Sequence, residues 1–183
     1  MDEGIPRLLL EGRPGIGKTT VARRLVNLLQ EAGVPVGGFT TAELRAGGRR
    51  AGFAVEAVSG AQKVLAHVDL PGPPRVGRYG VDLRAFEQVA LPALRSPATG
   101  GVVVVDELGK MELASAAFRE AVVELLGREV AVVATVQLAR HRFTDALKRR
   151  PDMQVVRVTE ATRDALPEQL MDRVIAAVRG TEQ

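Results

Sequence analysis

The stretch that decides the fold is GRPGIGKT, residues 12–19. It fits the pattern G-x-x-x-x-G-K-[ST], which is typical of loops that bind phosphate groups. The apolar residues 7–11 before it predict a β-strand, and residues 18–32 after it repeat apolar side chains at helical spacing. The loop therefore lies between a predicted strand and a predicted helix, which is the context that its chemistry requires.

The residue types of this loop suit a nucleoside triphosphate. Glycines let the backbone curl so that successive N–H groups face phosphate oxygens, and the positive end of the following helix attracts anions. Lys18 adds a positive charge at the β- and γ-phosphates, and Thr19 offers a hydroxyl to Mg²⁺. The alternative is an incidental glycine-rich turn, and the agreement of the pattern with its flanking elements argues against it. We predict nucleotide binding here, with Mg²⁺ as cofactor.

A second motif is the valine run 102–105, which Asp106 and Glu107 follow. The run predicts a buried parallel strand whose end lies at the same sheet edge as the loop. We predict that Asp106 holds Mg²⁺ through water and that Glu107 acts as general base on an attacking water. The alternative is an acidic pair that caps a helix. Thr135 ends the predicted strand 130–136 and is either a γ-phosphate sensor or a buried threonine that satisfies its own backbone.

The remaining chain alternates short apolar runs with helical periodicity. Further strands are predicted at 36–41, 52–58 and 154–158, and helices are predicted from Asp82 to Leu94, around Phe118 to Leu125, and from near Pro167 onwards. Strands 36–41 and 52–58 form a predicted β-hairpin around a turn at 46–50, and residues 69–80 are the longest predicted loop. The pattern predicts one α/β domain over residues 1–183, with a mostly parallel sheet, helices on both faces and a β-hairpin insertion.

Composition restricts the function further. The chain has 183 residues, 46% hydrophobic and 26% charged, and its net charge is +3. The absence of cysteine excludes a disulfide framework, thiol catalysis and cysteine-ligated zinc. No apolar run approaches the roughly 20 residues of a membrane span, so we expect a soluble, cytoplasmic protein without a membrane partner. The basic clusters 140–142 and 148–150 lack an aromatic platform, which favours a solvated surface over nucleic acid binding. The composition does not determine an oligomeric state.

Four stretches together resemble a known family. They are GRPGIGKTT (12–20), VPVGGFTTAELRAGGRRAGF (34–53), RVGRYGVDLRAFEQVALPAL (75–94) and VVDELGKMEL (104–113). The chain resembles, almost end to end, the nucleoside-triphosphatases described from thermophiles, whose vertebrate relative is called cancer-related nucleoside-triphosphatase. The one departure is Leu108, where the family often has isoleucine.

The resemblance implies a RecA-like P-loop fold and Mg²⁺-dependent hydrolysis of ATP, GTP and other nucleoside triphosphates such as CTP and UTP, with little base preference. It also implies which residues line the nucleotide. These are Gly12, Arg13, Pro14, Gly15, Ile16, Gly17, Lys18, Thr19, Thr20, Val104, Val105, Asp106, Glu107, Leu108, Gly109, Lys110 and Met111.

Two groups beside these motifs carry weaker hypotheses. Arg45, Arg49 and Arg50 lie around the predicted hairpin turn beside Glu43, and one of them could stabilise the transferred phosphoryl group as an arginine finger. The alternative is a solvated turn. Lys110 either approaches the γ-phosphate or lies on the surface. His67 has no partner ligands at metal spacing, so we interpret it as structural.

Three functions remain open on the residues alone. The first is an Mg²⁺-dependent hydrolase in which Lys18 and Glu107 are the catalytic residues. The second is a small-molecule or nucleotide kinase, in which the predicted loop 69–80 covers the acceptor. The third is a nucleotide-controlled binding module that acts with nucleic acid or protein. A GTP-selective switch is disfavoured, because the chain has no N-K-x-D motif.

Overall fold

The computed structural model describes residues 4–180 and joins its nine strands in one sheet. The strands are β1 (Arg7–Gly12), β2 (Val36–Ala46), β3 (Arg49–Ala57), β4 (Gln62–His67), β5 (Arg75–Val76), β6 (Tyr79–Val81), β7 (Val102–Leu108), β8 (Ala131–Gln137) and β9 (Gln154–Arg157). The helices are α1 (Lys18–Glu31), α2 (Leu83–Leu94), α3 (Ala116–Leu125), α4 (Arg142–Lys148) and α5 (Leu166–Gly180), with a short 3₁₀-helix at Glu112–Ala114.

The sheet has a parallel half and an antiparallel half, in the order β5-β6-β4-β3-β2-β7-β8-β1-β9. Strands β2, β7, β8, β1 and β9 pair in parallel, whereas β3 to β6 add antiparallel strands beyond β2. Strand β8 lies between β1, the strand before the glycine loop, and the valine-rich strand β7. This places the carboxyl ends of β1, β7 and β8 at one edge of the sheet.

Alternating side chains of the central strands build a core on each face of the sheet. Leu8 and Leu10 point to one face, where they pack with α1 and α5, whereas Leu9 points to the core of α2 and α3. The valines of β7 divide in the same way, with Val102 and Val104 on the α1 face. Helices therefore cover both faces, and the predicted α/β class is confirmed.

Helix boundaries follow the local signals in the sequence. The Asp82 carboxylate accepts a hydrogen bond from the Ala85 N–H at 2.8 Å, so it caps α2 at the position where the sequence predicts the helix to begin. Pro92 lies inside α2 near its end, and Gly33 follows α1 with φ 75°. Among residues 4–180, no helix combines the length and the apolar character needed to cross a membrane.

The structure corrects several predictions in the antiparallel half. The hairpin strands reach Ala46 and resume at Arg49, so the predicted turn at 46–50 is only two residues wide. Strand β4 is not predicted from the sequence. Its first three residues are exposed and the next two are buried, so its side chains lack the alternation that identifies a half-buried strand. The predicted loop 69–80 contains β5 and most of β6, which are too short for periodicity to reveal.

Candidate active site

The glycine loop connects β1 to α1 and leaves the first turn of the helix open to a ligand. Gly15 and Gly17 have φ of 77° and 111°, a region that residues with a side chain rarely adopt. Gly17 precedes α1 without a side-chain cap, and Val21 N–H donates to Gly17 O at 2.9 Å. The N–H groups at a helix start carry partial positive charge, so this turn is suited to bind an anion.

Lys18 brings a buried positive charge to the same place. Its Nζ donates to Gly12 O at 3.1 Å and to Arg13 O at 3.2 Å, which folds the side chain back over the loop. The Lys18 ammonium also lies 3.6 Å from Glu107 Oε2. The cation therefore stands between the loop and the acidic end of β7.

Asp106 is fully buried and is held by three threonines. Its Oδ1 accepts hydrogen bonds from Thr135 Oγ1 at 2.7 Å and Thr19 Oγ1 at 3.1 Å. Its Oδ2 accepts from the Thr41 hydroxyl at 3.2 Å and the Thr41 N–H at 3.3 Å. A buried carboxylate needs such donors, because burial without them is costly. The sequence left two interpretations of Thr135, a γ-phosphate sensor or a threonine that satisfies its own backbone. In the structure its hydroxyl donates to Asp106 instead of to its own backbone.

Glu107, unlike Asp106, faces the open space beside the glycine loop. Its Oε1 accepts a hydrogen bond from Gln137 Nε2 at 2.6 Å, so the end of β8 orients it. Burial raises the pKa of Glu107 above its ordinary value, although the Gln137 amide and the Lys18 ammonium oppose that shift. A raised pKa makes a carboxylate a better proton acceptor.

A third carboxylate, Glu112, lies in the wall of the same space and is 6% exposed. Burial, with the negative charges of Glu107 and Asp106 nearby, raises the pKa of Glu112 to about 8. Glu112 Oε2 and Glu107 Oε1 lie 2.8 and 2.9 Å from the position that a Cβ on Gly109 would occupy. The glycine at 109 therefore leaves room for two carboxyl groups beside each other.

These groups border a pocket of about 550 Å³ between the glycine loop and the antiparallel half of the sheet. The loop side is lined by Pro14, Gly15, Gly17, Lys18, Thr19 and Thr20, and the β7 side by Glu107, Gly109, Lys110, Met111, Glu112 and Gln137. Across from the loop lie Thr41, Glu43, Arg50, Phe53 and Val76. The volume is within the range of small-molecule sites.

Some of the predicted nucleotide-lining residues lie away from this pocket. Val104 and Val105 are buried in the two cores, and Leu108 is buried on the α3 face. Gly12, Arg13 and Ile16 belong to the loop but do not line the pocket, and Asp106 lies behind Thr19. Strand β7 also continues to Leu108, so Asp106 and Glu107 lie within the strand and not after it.

Sequence reasoning did not find Thr41, Gln137 and Glu112. Gln137 ends β8, so the rule that ligands bind at the carboxyl ends of parallel strands is a signal that could have found it. Thr41 and Glu112 lie inside the family-like stretches, but nothing in their spacing marks them. Of the arginines at the hairpin turn, Arg50 lines the pocket and Arg45 does not.

The oxygen donors at Thr19 and Asp106 fit a magnesium ion. Mg²⁺ prefers oxygen ligands and usually binds one or two protein groups together with water and substrate phosphates. Within the described residues, no group of three or more His, Cys, Asp or Glu side chains is arranged to hold a metal. His67 accepts a hydrogen bond from the Asp69 N–H at 3.2 Å.

The loop, the acidic strand and the strand order together define a P-loop nucleotide-binding protein of the class with a strand inserted between these two motifs. The family model described as NTPase matches residues 7–171. The chain belongs to this family, and the predicted enzyme class, a nucleoside-triphosphatase, is confirmed.

Individual proteins show the same similarity along nearly the whole chain. Nucleoside-triphosphatase THEP1 of Thermotoga maritima is 38% identical over 178 residues, which cover 97% of this chain and 99% of that protein. The solution structure of a human cancer-related nucleoside triphosphatase matches with a TM-score of 0.82 and 38% identity, covering 94% and 98% of the two chains. The crystal structure of THEP1 from Aquifex aeolicus matches with a TM-score of 0.80 and 29% identity, covering 92% of this chain and 98% of that one.

Proposed function

We propose that this chain is a single-domain enzyme that hydrolyses the terminal phosphate of ATP, GTP, CTP and UTP in the presence of Mg²⁺. One observation carries the proposal. The Lys18 ammonium and the Glu107 carboxylate lie 3.6 Å apart at the border of the pocket, above the open first turn of α1. A positive charge that can bind the phosphates and a carboxylate that can accept a proton from water are therefore adjacent.

The roles of the side chains follow from their positions. The loop amides and Lys18 hold the phosphates and stabilise the negative charge that develops during transfer. Thr19 and Asp106 hold Mg²⁺, which neutralises charge on the phosphate oxygens when bound. Thr41 and Thr135 keep the Asp106 carboxylate in place.

Glu107 performs the proton transfer. A water molecule attacks the γ-phosphorus, the bond from that phosphorus to the bridging oxygen breaks, and the nucleoside diphosphate leaves. The proton of the attacking water passes to Glu107, whose raised pKa suits this task. Gln137 orients the carboxylate through its 2.6 Å hydrogen bond.

A phosphate-release assay tests the proposal. We expect release from all four nucleotides with Mg²⁺ and only background release when a chelator removes the ion. The nucleoside monophosphates are the matched control, because they lack the β,γ bond. Lack of release from every triphosphate in the presence of Mg²⁺ would contradict the proposal.

A second function, phosphoryl transfer to a small molecule, is favoured by the extent of the pocket. Beyond Glu107 the pocket continues to Glu43, Arg50, Phe53 and Val76, which leaves space for an acceptor hydroxyl group. Phosphate release at an unchanged rate with and without added acceptors would count against this function. The third possibility, a binding module, predicts strong stimulation of turnover by nucleic acid or a protein.

A further inference from the structure

The connection between β9 and α5, residues 158–165, lies against the outer side of the glycine loop. Arg163 Nη1 donates a hydrogen bond to Ile16 O at 3.2 Å. The Cδ of Arg163 lies 3.5 Å from the position that a Cβ on Gly17 would take. The arginine therefore rests on the loop, outside the pocket that holds Lys18 and Glu107.

A local turn fixes this arginine. The Arg163 N–H donates to Thr159 O at 2.9 Å, and the Thr159 N–H donates to Thr162 Oγ1 at 3.1 Å. The hydroxyls of Thr159 and Thr162 also bond to each other at 3.0 Å. Because these two hydroxyls are hydrogen-bonded to each other, they are poorly placed to form hydrogen bonds with the edge of a ligand ring.

The strand order gives the direction of a bound triphosphate. Lys18 with Glu107, and Thr19 with Asp106, mark the end for the terminal phosphate on the side of β7. The sheet continues from β7 through β8 and β1 to β9. With its terminal phosphate on the side of β7, an extended triphosphate would carry its nucleoside across the loop, on the side where the connection 158–165 contacts Ile16.

No aromatic side chain of this protein is available at that connection. The chain has no tryptophan, one tyrosine and five phenylalanines. Phe39, Phe86 and Phe118 pack together in the core, and Phe53 packs against Tyr79. Phe143 packs against the core on the α2 and α3 face. The guanidinium of Arg163, which donates to Ile16 O, is a planar group beside the outer side of the loop.

We propose that residues 158–165 form the nucleobase subsite and that the Arg163 guanidinium stacks on the base. The inference rests on the proposed function, because it takes a nucleoside triphosphate as the ligand. Every base presents a π-face to a guanidinium plane, so stacking stabilises all four nucleotides without reading their edges. The subsite therefore accounts for binding with little base preference.

The variant Arg163→Lys tests this, because it keeps the charge and removes the plane. The probes are the β,γ-imido analogues of ATP and UTP, which are not hydrolysed, and inorganic tripolyphosphate, which has no base. Dissociation constants are measured by calorimetry with Mg²⁺. We expect about tenfold weaker binding of the ATP analogue, a smaller loss for the UTP analogue, and unchanged binding of tripolyphosphate.

The control Arg173→Lys changes an exposed arginine of α5 that does not line the pocket. It should bind all three probes as the unsubstituted protein does. Equal weakening of all three probes by Arg163→Lys would overturn the proposal, because Arg163 would then only support the loop. Unchanged binding of all three probes by Arg163→Lys, or equal base-dependent weakening by Arg173→Lys, would overturn it as well.

Failure of this subsite is distinguishable from failure of the proposed hydrolysis. The binding experiment needs no turnover, whereas the hydrolase proposal depends on phosphate release by the unsubstituted protein. Normal release with base-independent binding losses contradicts only the subsite. Absence of release with the expected binding pattern contradicts only the hydrolase.

Discussion

The parallel and antiparallel halves of the sheet contribute differently to the pocket. The parallel half supplies Lys18, Thr19, Glu107 and Gln137 to its lining, and it holds Asp106 behind Thr19. The antiparallel half supplies Arg50, Phe53 and Val76, which form the far wall. Strand β2 belongs to both, since it pairs in parallel with β7 and antiparallel with β3.

The difference has a physical origin. Parallel strands end at one edge of the sheet, so side chains from distant parts of the chain meet there. Antiparallel strands end at alternate edges, and they extend the wall of the pocket without concentrating functional groups. We therefore expect substitutions in the parallel half to change the chemical step and substitutions in the antiparallel half to have small effects.

The largest expected effect is that of Glu107→Gln. The amide keeps the shape of the side chain but cannot accept the proton from water, so phosphate release should fall about 10²- to 10⁴-fold. Nucleotide binding, measured with a β,γ-imido analogue, should be retained. Glu43→Gln is the matched control from the antiparallel half and should release phosphate normally. Hydrolysis by Glu107→Gln at the unsubstituted rate would show that the base is another group.

Thr135→Val should have the next largest effect. It removes the 2.7 Å hydrogen bond to Asp106 Oδ1 and leaves the shape almost unchanged. Loss of a group that orients a metal ligand typically costs about 10- to 100-fold in affinity or activity. We therefore expect turnover to fall and the Mg²⁺ concentration for half-maximal activity to rise.

Thr144→Val is the control for this prediction. Thr144 is equally buried, and its hydroxyl donates to His141 O at 3.2 Å, away from Asp106. A loss of stability without a change in the Mg²⁺ requirement is expected for Thr144→Val. If Thr135→Val also leaves the Mg²⁺ requirement unchanged, Asp106 does not hold the metal ion.

The third effect concerns stability and its dependence on pH. The pKa of Glu112 is raised from 4.5 to about 8, so the folded protein binds a proton that the unfolded chain releases. The free energy of unfolding should therefore fall as the pH rises from about 4.5 to about 8, by about 1 kcal/mol per pH unit. Glu112→Gln cannot ionise, so it should lose this component and become relatively more stable at high pH.

Chemical denaturation of both proteins at several pH values between 5 and 8 measures this difference. Glu124→Gln is the control, since Glu124 lies exposed on α3 and should leave the pH dependence unchanged. Parallel pH profiles of Glu112→Gln and the unsubstituted protein would show that Glu112 is ionised in the folded state.

Prediction from sequence succeeded where the structural signal is contiguous. Eight consecutive residues encode the glycine loop, and the valine run leads directly to Asp106 and Glu107, so the order of residues alone locates both motifs. The hydrogen bond from Thr41 N–H to Asp106 joins residues 65 positions apart. Such a partner is determined by packing and has no local pattern.

The antiparallel half is less predictable for a related reason. Strands β5 and β6 have two and three residues, which is shorter than any period that could be detected. They form because β4 and its neighbours offer free strand edges, and pairing along an edge depends on the tertiary structure. The parallel strands, in contrast, are buried on both faces. Their sequences are therefore long apolar runs, which are easy to recognise.

The smallest expected effect is that of Arg50→Gln, and it tests the comparison most directly. Arg50 Nη2 lies 2.7 Å from Glu43 Oε2, and its guanidinium lies 5.5 Å from the centre of the Phe53 ring. Its side chain is 52% exposed, and ion pairs of this kind contribute about 0–1 kcal/mol. We therefore expect phosphate release to change less than about threefold.

An arginine finger would behave differently, because its loss typically lowers turnover about 10³- to 10⁵-fold. Arg45→Gln is the matched control, since Arg45 pairs with Glu43 at 2.6 Å but does not line the pocket. If the rate of phosphate release falls more than about a hundredfold in Arg50→Gln but not in Arg45→Gln, the antiparallel half takes part in the chemical step. A small effect in both variants confines the chemistry to the carboxyl ends of the parallel strands.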